Sequence, residues 1–276
     1  MASPVTYKVT LPTDYEADRP EPYPMLIIVP AEAGYGGGMG SGGGTTAVTA
    51  ARFHDDNDAI VLELGFNRPT WLADSSSSNH ETFFLEMILP RVLAEHNVGR
   101  MSLLGYANGG FGALHALMRH PHLFHRVAVA DVPVLGDFNG QMRPWGIEEW
   151  GDDGEQLEKP PWWSFADSFP HNAMFVPYSP GALAECEYVA REMGAGGGGS
   201  GQGGGGVARI GLWSGSRTKW EMEQLREQFD IFGVAHAWSD EYADEEAGWE
   251  SGWLKEALDW LPDAAHATRR RNPQLA

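Results

Sequence analysis

Cysteine is nearly missing from this sequence: Cys186 is the one example in 276 residues. A single thiol excludes an internal disulfide and a four-cysteine zinc site. Positive charge is scarce too, with 19 Lys and Arg against 38 Asp and Glu and a net charge of −19. Such an acidic surface repels nucleic acid and anionic membrane, so neither is an expected partner. No apolar run approaches the roughly 20 residues that cross a bilayer. The opening Met1-Ala2-Ser3-Pro4 lacks a basic stretch followed by an apolar core. No secretory signal is therefore expected, and the expected location is the cytoplasm or another reducing intracellular compartment. No His, Asp and Glu set has the spacing of a recognised metal motif. Neither glycine run ends in Gly-Lys-Ser/Thr. No metal, nucleotide or other cofactor is expected.

What is present is the make-up of a folded globule, 42% hydrophobic and 21% charged. Val5 to Leu11 alternates with period two and reads as a half-buried strand. Met25-Leu26-Ile27-Ile28-Val29, stopped by Pro30, suits a strand buried on both faces. Further strands are expected at Ala59–Leu64, Met101–Leu104, Val127–Ala130, Ala208–Trp213 and near Val234–Trp238. Helical spacing runs from Asn79, the expected cap, to His96, then over Gly110–His120, Lys219–Phe232 and Ser251–Leu261. Residues 34 to 44 carry eight glycines and a second glycine run spans 194 to 206. Strands flank each run, so both are read as surface loops. Strands alternating with helices predict an α/β fold with a mostly parallel central sheet and helices on both faces. A single domain over 1–262 is expected, with 136–206 as an irregular lid or insertion. The basic stretch Arg269-Arg270-Arg271 falls in a C-terminal tail, 263–276.

The sharpest chemical signal is Leu104-Gly105-Tyr106-Ala107-Asn108-Gly109-Gly110-Phe111-Gly112. Glycines two residues either side of an apex, between a strand and a helix, match a nucleophile elbow. There a strained turn lifts one side chain above the sheet, and small residues let strand and helix approach. In this motif the chain resembles the esterase D-like α/β-hydrolases, which include S-formylglutathione hydrolases, feruloyl esterases and mycolyltransferases. The resemblance extends over Val9-Thr10-Leu11-Pro12, Tyr23-Pro24-Met25, Glu81-Thr82-Phe83 and Ile88-Leu89-Pro90. It continues through His120-Pro121-His122-Leu123-Phe124 and Trp249-Glu250-Ser251-Gly252-Trp253-Leu254. It implies an α/β-hydrolase fold and serine carboxylic-ester hydrolysis.

Carried across residue by residue, the resemblance puts the nucleophilic serine at Ala107, and a methyl group cannot attack a carbonyl. It puts the histidine at Ala247, with Glu246 and Gly248 on either side. It puts the acid after the strand ending at Trp213, where Ser214-Gly215-Ser216-Arg217-Thr218 holds no carboxylate; Ser216 marks the degenerate position. The backbone N–H of Asn108 remains as an oxyanion donor, framed by Gly105 and Gly109. The second donor would come from Pro30-Ala31-Glu32-Ala33-Gly34, where an inward Glu32 would repel an oxyanion.

Other residues have plainer readings. His115, His120, His122 and His125 cluster near the elbow helix, where helix ends accommodate histidine. His236 reads as a core or edge histidine. Asp131, past a strand end, is either an alternative acid or a cap for the next turn. Asp240, Asp244, Glu245 and Glu246 read as a solvated loop. Trp162-Trp163 beside Pro160-Pro161 is open to being a contact patch. The expected function is a catalytically inactive esterase-like pseudoenzyme that serves as a binding or assembly subunit. Its expected partners are other protein subunits or a small acyl or ester-like ligand in the vestigial pocket. The alternative is a carboxylesterase inactivated by mutation or with relocated catalytic residues.

Overall fold

A computed structural model describes residues 5–30, 44–66, 72–74, 79–133, 176–195, 208–216, 218–243 and 248–262. Among them seven strands join one sheet: β1 (Val5–Thr10), β2 (Tyr23–Val29), β3 (Ile60–Phe66), β4 (Val98–Tyr106), β5 (Phe124–Ala130), β6 (Ile210–Trp213) and β7 (His236–Ser239). Their order is β1-β3-β2-β4-β5-β6-β7. Only β1 runs antiparallel to its neighbour; the pairs from β3 to β7 are parallel. The expected α/β class and mostly parallel sheet are what the structure has.

Apolar residues alternate faces along each strand, and both faces are covered. On β2, Met25, Ile27 and Val29 enter one core and Leu26 and Ile28 the other. The first face is covered by α3 (His80–Phe83), a π turn at Phe84–Ile88, α4 (Leu89–Glu95), α5 (Ala107–Arg119) and, later in the chain, Lys219–Phe232. The second face is covered by residues of α1 (Gly44–Ala50), α2 (Phe53–Asp56) and Trp253–Trp260. The π turn precedes Pro90, whose ring removes an N–H from the helical ladder.

Two expectations need correction. Asn79 sits at the start of α3, but its side chain makes no capping hydrogen bond. Asp74 does that work instead: its Oδ1 accepts from Thr82 N at 3.1 Å. The expected irregular lid is helical over its described part, 176–195. It forms a 3₁₀ turn (Val176–Tyr178), α6 (Pro180–Ala184), α7 (Glu187–Ala190) and a further turn at Arg191–Ala195. Ala184, Val189 and Met193 are buried, so this segment is part of the core rather than a cover over it. Ser179 caps α6, accepting from Ala182 N at 3.5 Å.

The last two helices are α8 (Lys219–Phe232) and α9 (Trp253–Trp260). Gly233, with φ of 71°, ends α8 in the left-handed conformation that glycine adopts without steric cost. Arg126 on β5 is buried and ties α9 to the sheet. Its Nη1 donates to Trp260 O at 2.8 Å, and the guanidinium lies 4.9 Å from the Trp260 ring centroid. A cation at the C-terminal end of a helix also meets the negative end of its dipole. No helix among the described residues is long and apolar enough to cross a membrane.

Candidate active site

The elbow forms where β4 ends. Ala107 follows Tyr106 directly, has φ of 49° and is the first residue of α5. The glycines around it are required by close backbone approach. A Cβ on Gly105 would lie 2.4 Å from Gly109 O and 2.7 Å from Gly110 Cα; one on Gly109 would lie 2.5 Å from Val29 O and Pro30 O. Strand β4, helix α5 and the end of β2 are thus in backbone contact, and Ala107 sits at the apex with its backbone in the left-handed region. A non-glycine residue held there carries strain on the order of 1–3 kcal/mol, a feature common at functional sites.

The sheet register levels three strand ends with one another. Tyr106 pairs with Ala130, and Ala130 pairs with Trp213. The next residues, Ala107, Asp131 and Ser214, therefore stand side by side at the C-terminal edge of the sheet, where α/β sites form. Asp131 is 1% exposed and, like Ala107, has φ of 49°. Its Oδ1 accepts from Thr218 N at 2.9 Å and from Thr218 Oγ1 at 2.7 Å. Asp131 therefore caps the start of α8 rather than the turn that follows it. Burial pushes the Glu221 carboxyl up, and the charge of Asp131 pushes it further the same way. Ser216 is exposed, whereas Ser214 is buried.

Aromatic rings close the other side. Tyr106 lies 5.9 Å from Trp249 and 6.3 Å from Trp253, centroid to centroid, and the two tryptophans are 5.7 Å apart. Trp213 Nε1 and Tyr242 Oη both donate to Glu256, at 2.9 and 3.0 Å. Ala247, Glu32 and Trp162-Trp163 lie outside the described residues, as do Asp244, Glu245 and Glu246. The segment just after position 247 does reach the elbow, through the Trp249 ring beside Tyr106. Among the described residues, three buried polar atoms near this edge have no hydrogen-bond partner: Asn108 Nδ2, Ser214 Oγ and Trp249 Nε1. No group of three or more His, Cys, Asp or Glu among the described residues is arranged to hold a metal ion.

The histidines singled out in the sequence lie elsewhere. His115, fully buried, and His120 gather at the far end of α5 around Glu81, whose side chain is 4% exposed. Arg119 grips Glu81 with two bonds, Nε to Oε1 and Nη2 to Oε2, both 3.0 Å. His120 Nε2 lies 3.0 Å and His115 Nδ1 4.0 Å from Oε1. Burial pushes the Glu81 carboxyl up, but the His120 hydrogen bond and the fields of His115 and Arg119 outweigh it, and the net shift is downward. Arg119 also lies over the Tyr178 ring, 4.3 Å from its centroid, and donates to Pro177 O. Sequence spacing placed His115 and His120 together but gave no signal for Glu81, which is 38 residues from Arg119 along the chain. His122 is exposed and lies 2.6 Å from Tyr188 Oη; His125 is half-buried on β5. His236 sits on β7 at the sheet edge, with Nδ1 2.9 Å from Val234 O.

A mostly parallel sheet with helices on both faces, and a strained strand-to-helix apex at its C-terminal edge, is the α/β-hydrolase fold. No family profile and no curated protein matches the chain. Solved structures do. A ferulic acid esterase matches with TM-score 0.60 at 16% identity, over 93% of this chain and 91% of its own. MPT51 of Mycobacterium tuberculosis gives 0.59 at 15%, over 94% and 93%. The S-formylglutathione hydrolase of Staphylococcus aureus gives 0.60 at 11%, over 92% and 91%. These neighbours come from the esterase D-like group that the sequence motifs resemble. What they share with this chain at such identities is the fold.

Proposed function

We propose that this protein is a noncatalytic member of the esterase-like α/β-hydrolases, a pseudoenzyme that binds rather than cleaves. The observation that carries the reading is the apex itself. The backbone is set for a nucleophile, with positive φ at 107 and glycines at 105 and 109, and the side chain presented is a methyl group. Acyl-enzyme chemistry needs a heteroatom there. Ala247 and the loop at 214–218, with Ser216 where the resemblance puts the acid, complete a degenerate triad around Ala107 in this reading. Asn108 would supply the one retained oxyanion donor. The partnerless Asn108 Nδ2, Ser214 Oγ and Trp249 Nε1 support binding, because a buried donor left unmade costs about 1–3 kcal/mol and an acceptor on a ligand would satisfy it. The ligand class is a small acyl or ester-like molecule; the other role open to such a scaffold is that of a subunit in a protein assembly.

The test is hydrolysis of p-nitrophenyl acetate by the purified protein. No turnover above buffer is expected, and Ala107→Ser alone is expected to restore little. A serine hydroxyl without a base is a poor nucleophile, and a site reduced to oxyanion help and binding keeps only about 10³–10⁴ over water. Robust turnover by the unmodified protein would overturn the reading. Sizing of the native protein then separates the two roles: a large complex favours the assembly subunit, a monomer the ligand binder.

A further inference from the structure

We propose that Asp131 is the carboxylate of this site, so that the vestigial triad has lost its nucleophile and its base but kept an acid, moved by one strand. The proposal rests on reading the elbow as a former hydrolase site. Its own support is the placement of Asp131. The register Tyr106↔Ala130 makes Ala107 and Asp131 the first residues beyond paired positions on adjacent strands. Adjacent strands run about 4.8 Å apart, so the two residues are direct neighbours at the sheet edge. The expected acid position on β6 stands one strand further away and carries Ser214, Gly215 and Ser216.

Thr218 strengthens the assignment. It belongs to the loop where the resemblance puts the acid, yet both its N–H and its hydroxyl donate to Asp131. In a working triad the acid is buried and hydrogen-bonded so that it holds the imidazole and stabilises its charged form. Asp131 has the burial and a hydrogen-bonded oxygen without any change to the chain. Among the described residues, Glu256 is held by Trp213 Nε1 and Tyr242 Oη, and Glu221 is a further carboxylate near this edge. It lies in the first turn of α8, and it feels the Asp131 charge.

The first experiment places an imidazole at the apex. In Ala107→His the new ring should titrate above the ordinary histidine value of about 6.5, because a neighbouring carboxylate favours the charged form. An upward shift of about one unit, a tenfold tighter hold on the proton, is expected by NMR. Asp131→Asn in that background should remove most of the shift, and Glu221→Gln should leave most of it. A ring that ignores Asp131→Asn, or responds only to Glu221→Gln, would overturn the proposal. Should the histidine variant fail to fold, Ala107→Cys in a Cys186→Ser background gives the same answer. Its thiol should alkylate several-fold faster once Asp131 is replaced by Asn, since a nearby negative charge holds back the thiolate; an unchanged rate would count against Asp131. A catalytic readout follows. Ala107→Ser with Ala247→His should gain ester turnover with no added carboxylate, and Asp131→Asn should lower it at least tenfold. Turnover that appears only with Ser216→Asp would place the acid on β6 and refute the assignment. The titrations report on Asp131 whether or not the unmodified protein hydrolyses esters, so this inference and the pseudoenzyme reading can fail separately.

Discussion

The two ends of α5 have kept different things. At its first residue the backbone geometry of a catalytic elbow is intact, and the side chain is a methyl group. At its last residues Arg119, with His115 and His120 nearby, converges on the buried Glu81. One end presents a methyl group on an elbow backbone; the other gathers ionisable groups between helices. The contrast separates what the scaffold needs from what catalysis needs. Glycines at 105 and 109 are fixed by backbone contact whatever side chain stands at 107, so the elbow's shape does not depend on a nucleophile. An ion cluster that holds helices together persists for its own reason.

The largest expected effect lies at the ionic end. Glu81→Ala leaves Arg119 facing a buried gap, and breaking such a pair costs about 3–5 kcal/mol. Chemical denaturation should show this as a much lower midpoint. Steric contact at the other end gives the next effect. Gly105→Ala would place a methyl 2.4 Å from Gly109 O, with backbone rather than a flexible side chain as the obstacle. Overpacking of this kind costs about 1–3 kcal/mol. If Gly105→Ala proved as damaging as Glu81→Ala, the elbow would be the stronger structural element.

The ionic end should also respond to pH. The Glu81 carboxyl is held below its ordinary 4.5 in the folded protein. Its contribution is therefore fully present above the unfolded value and is lost as pH falls through the folded one. Acid unfolding of the unmodified protein below about pH 4.5 should be steeper than that of Glu81→Gln, followed by circular dichroism. The smallest effect belongs to the apex. Ala107→Gly relieves a left-handed φ and should be neutral or stabilising by up to about 1 kcal/mol. A clear destabilisation would mean that the methyl is held by packing against the aromatic cluster.

Much of this layout could be read from the sequence. The buried run at 25–29, the glycine spacing around 107 and the helix Lys219–Phe232 each follow from local pattern, and the last is observed with the same bounds. Strand ends were harder. Strand β4 starts at Val98, three residues before its apolar run, because Gly99 and Arg100 are exposed and look like loop. The helices at 180–190 were hidden among Pro, Gly and acidic residues, since their stability comes from packing on α5 and α8 rather than from periodicity. The Thr218–Asp131 bond was not legible, because it links residues 87 apart that the sheet order alone brings together. Nor was Glu81, which looks like an ordinary solvent-facing acid until α3 is packed against α5.

The Arg126 contact with α9 sets an order of events during synthesis. The guanidinium is buried beside β5, in the middle of the sheet, and the carbonyls it donates to belong to Trp260, Leu261 and Pro262. A nascent chain that has assembled β1 to β5 still leaves this face of β5 uncovered, with the Arg126 guanidinium in water until α9 arrives. Native burial of this part of β5 must wait until residues more than 130 positions later have been made and have docked. Chains interrupted before Trp260 should therefore remain open to proteases and chaperones, whatever length of sheet they already contain.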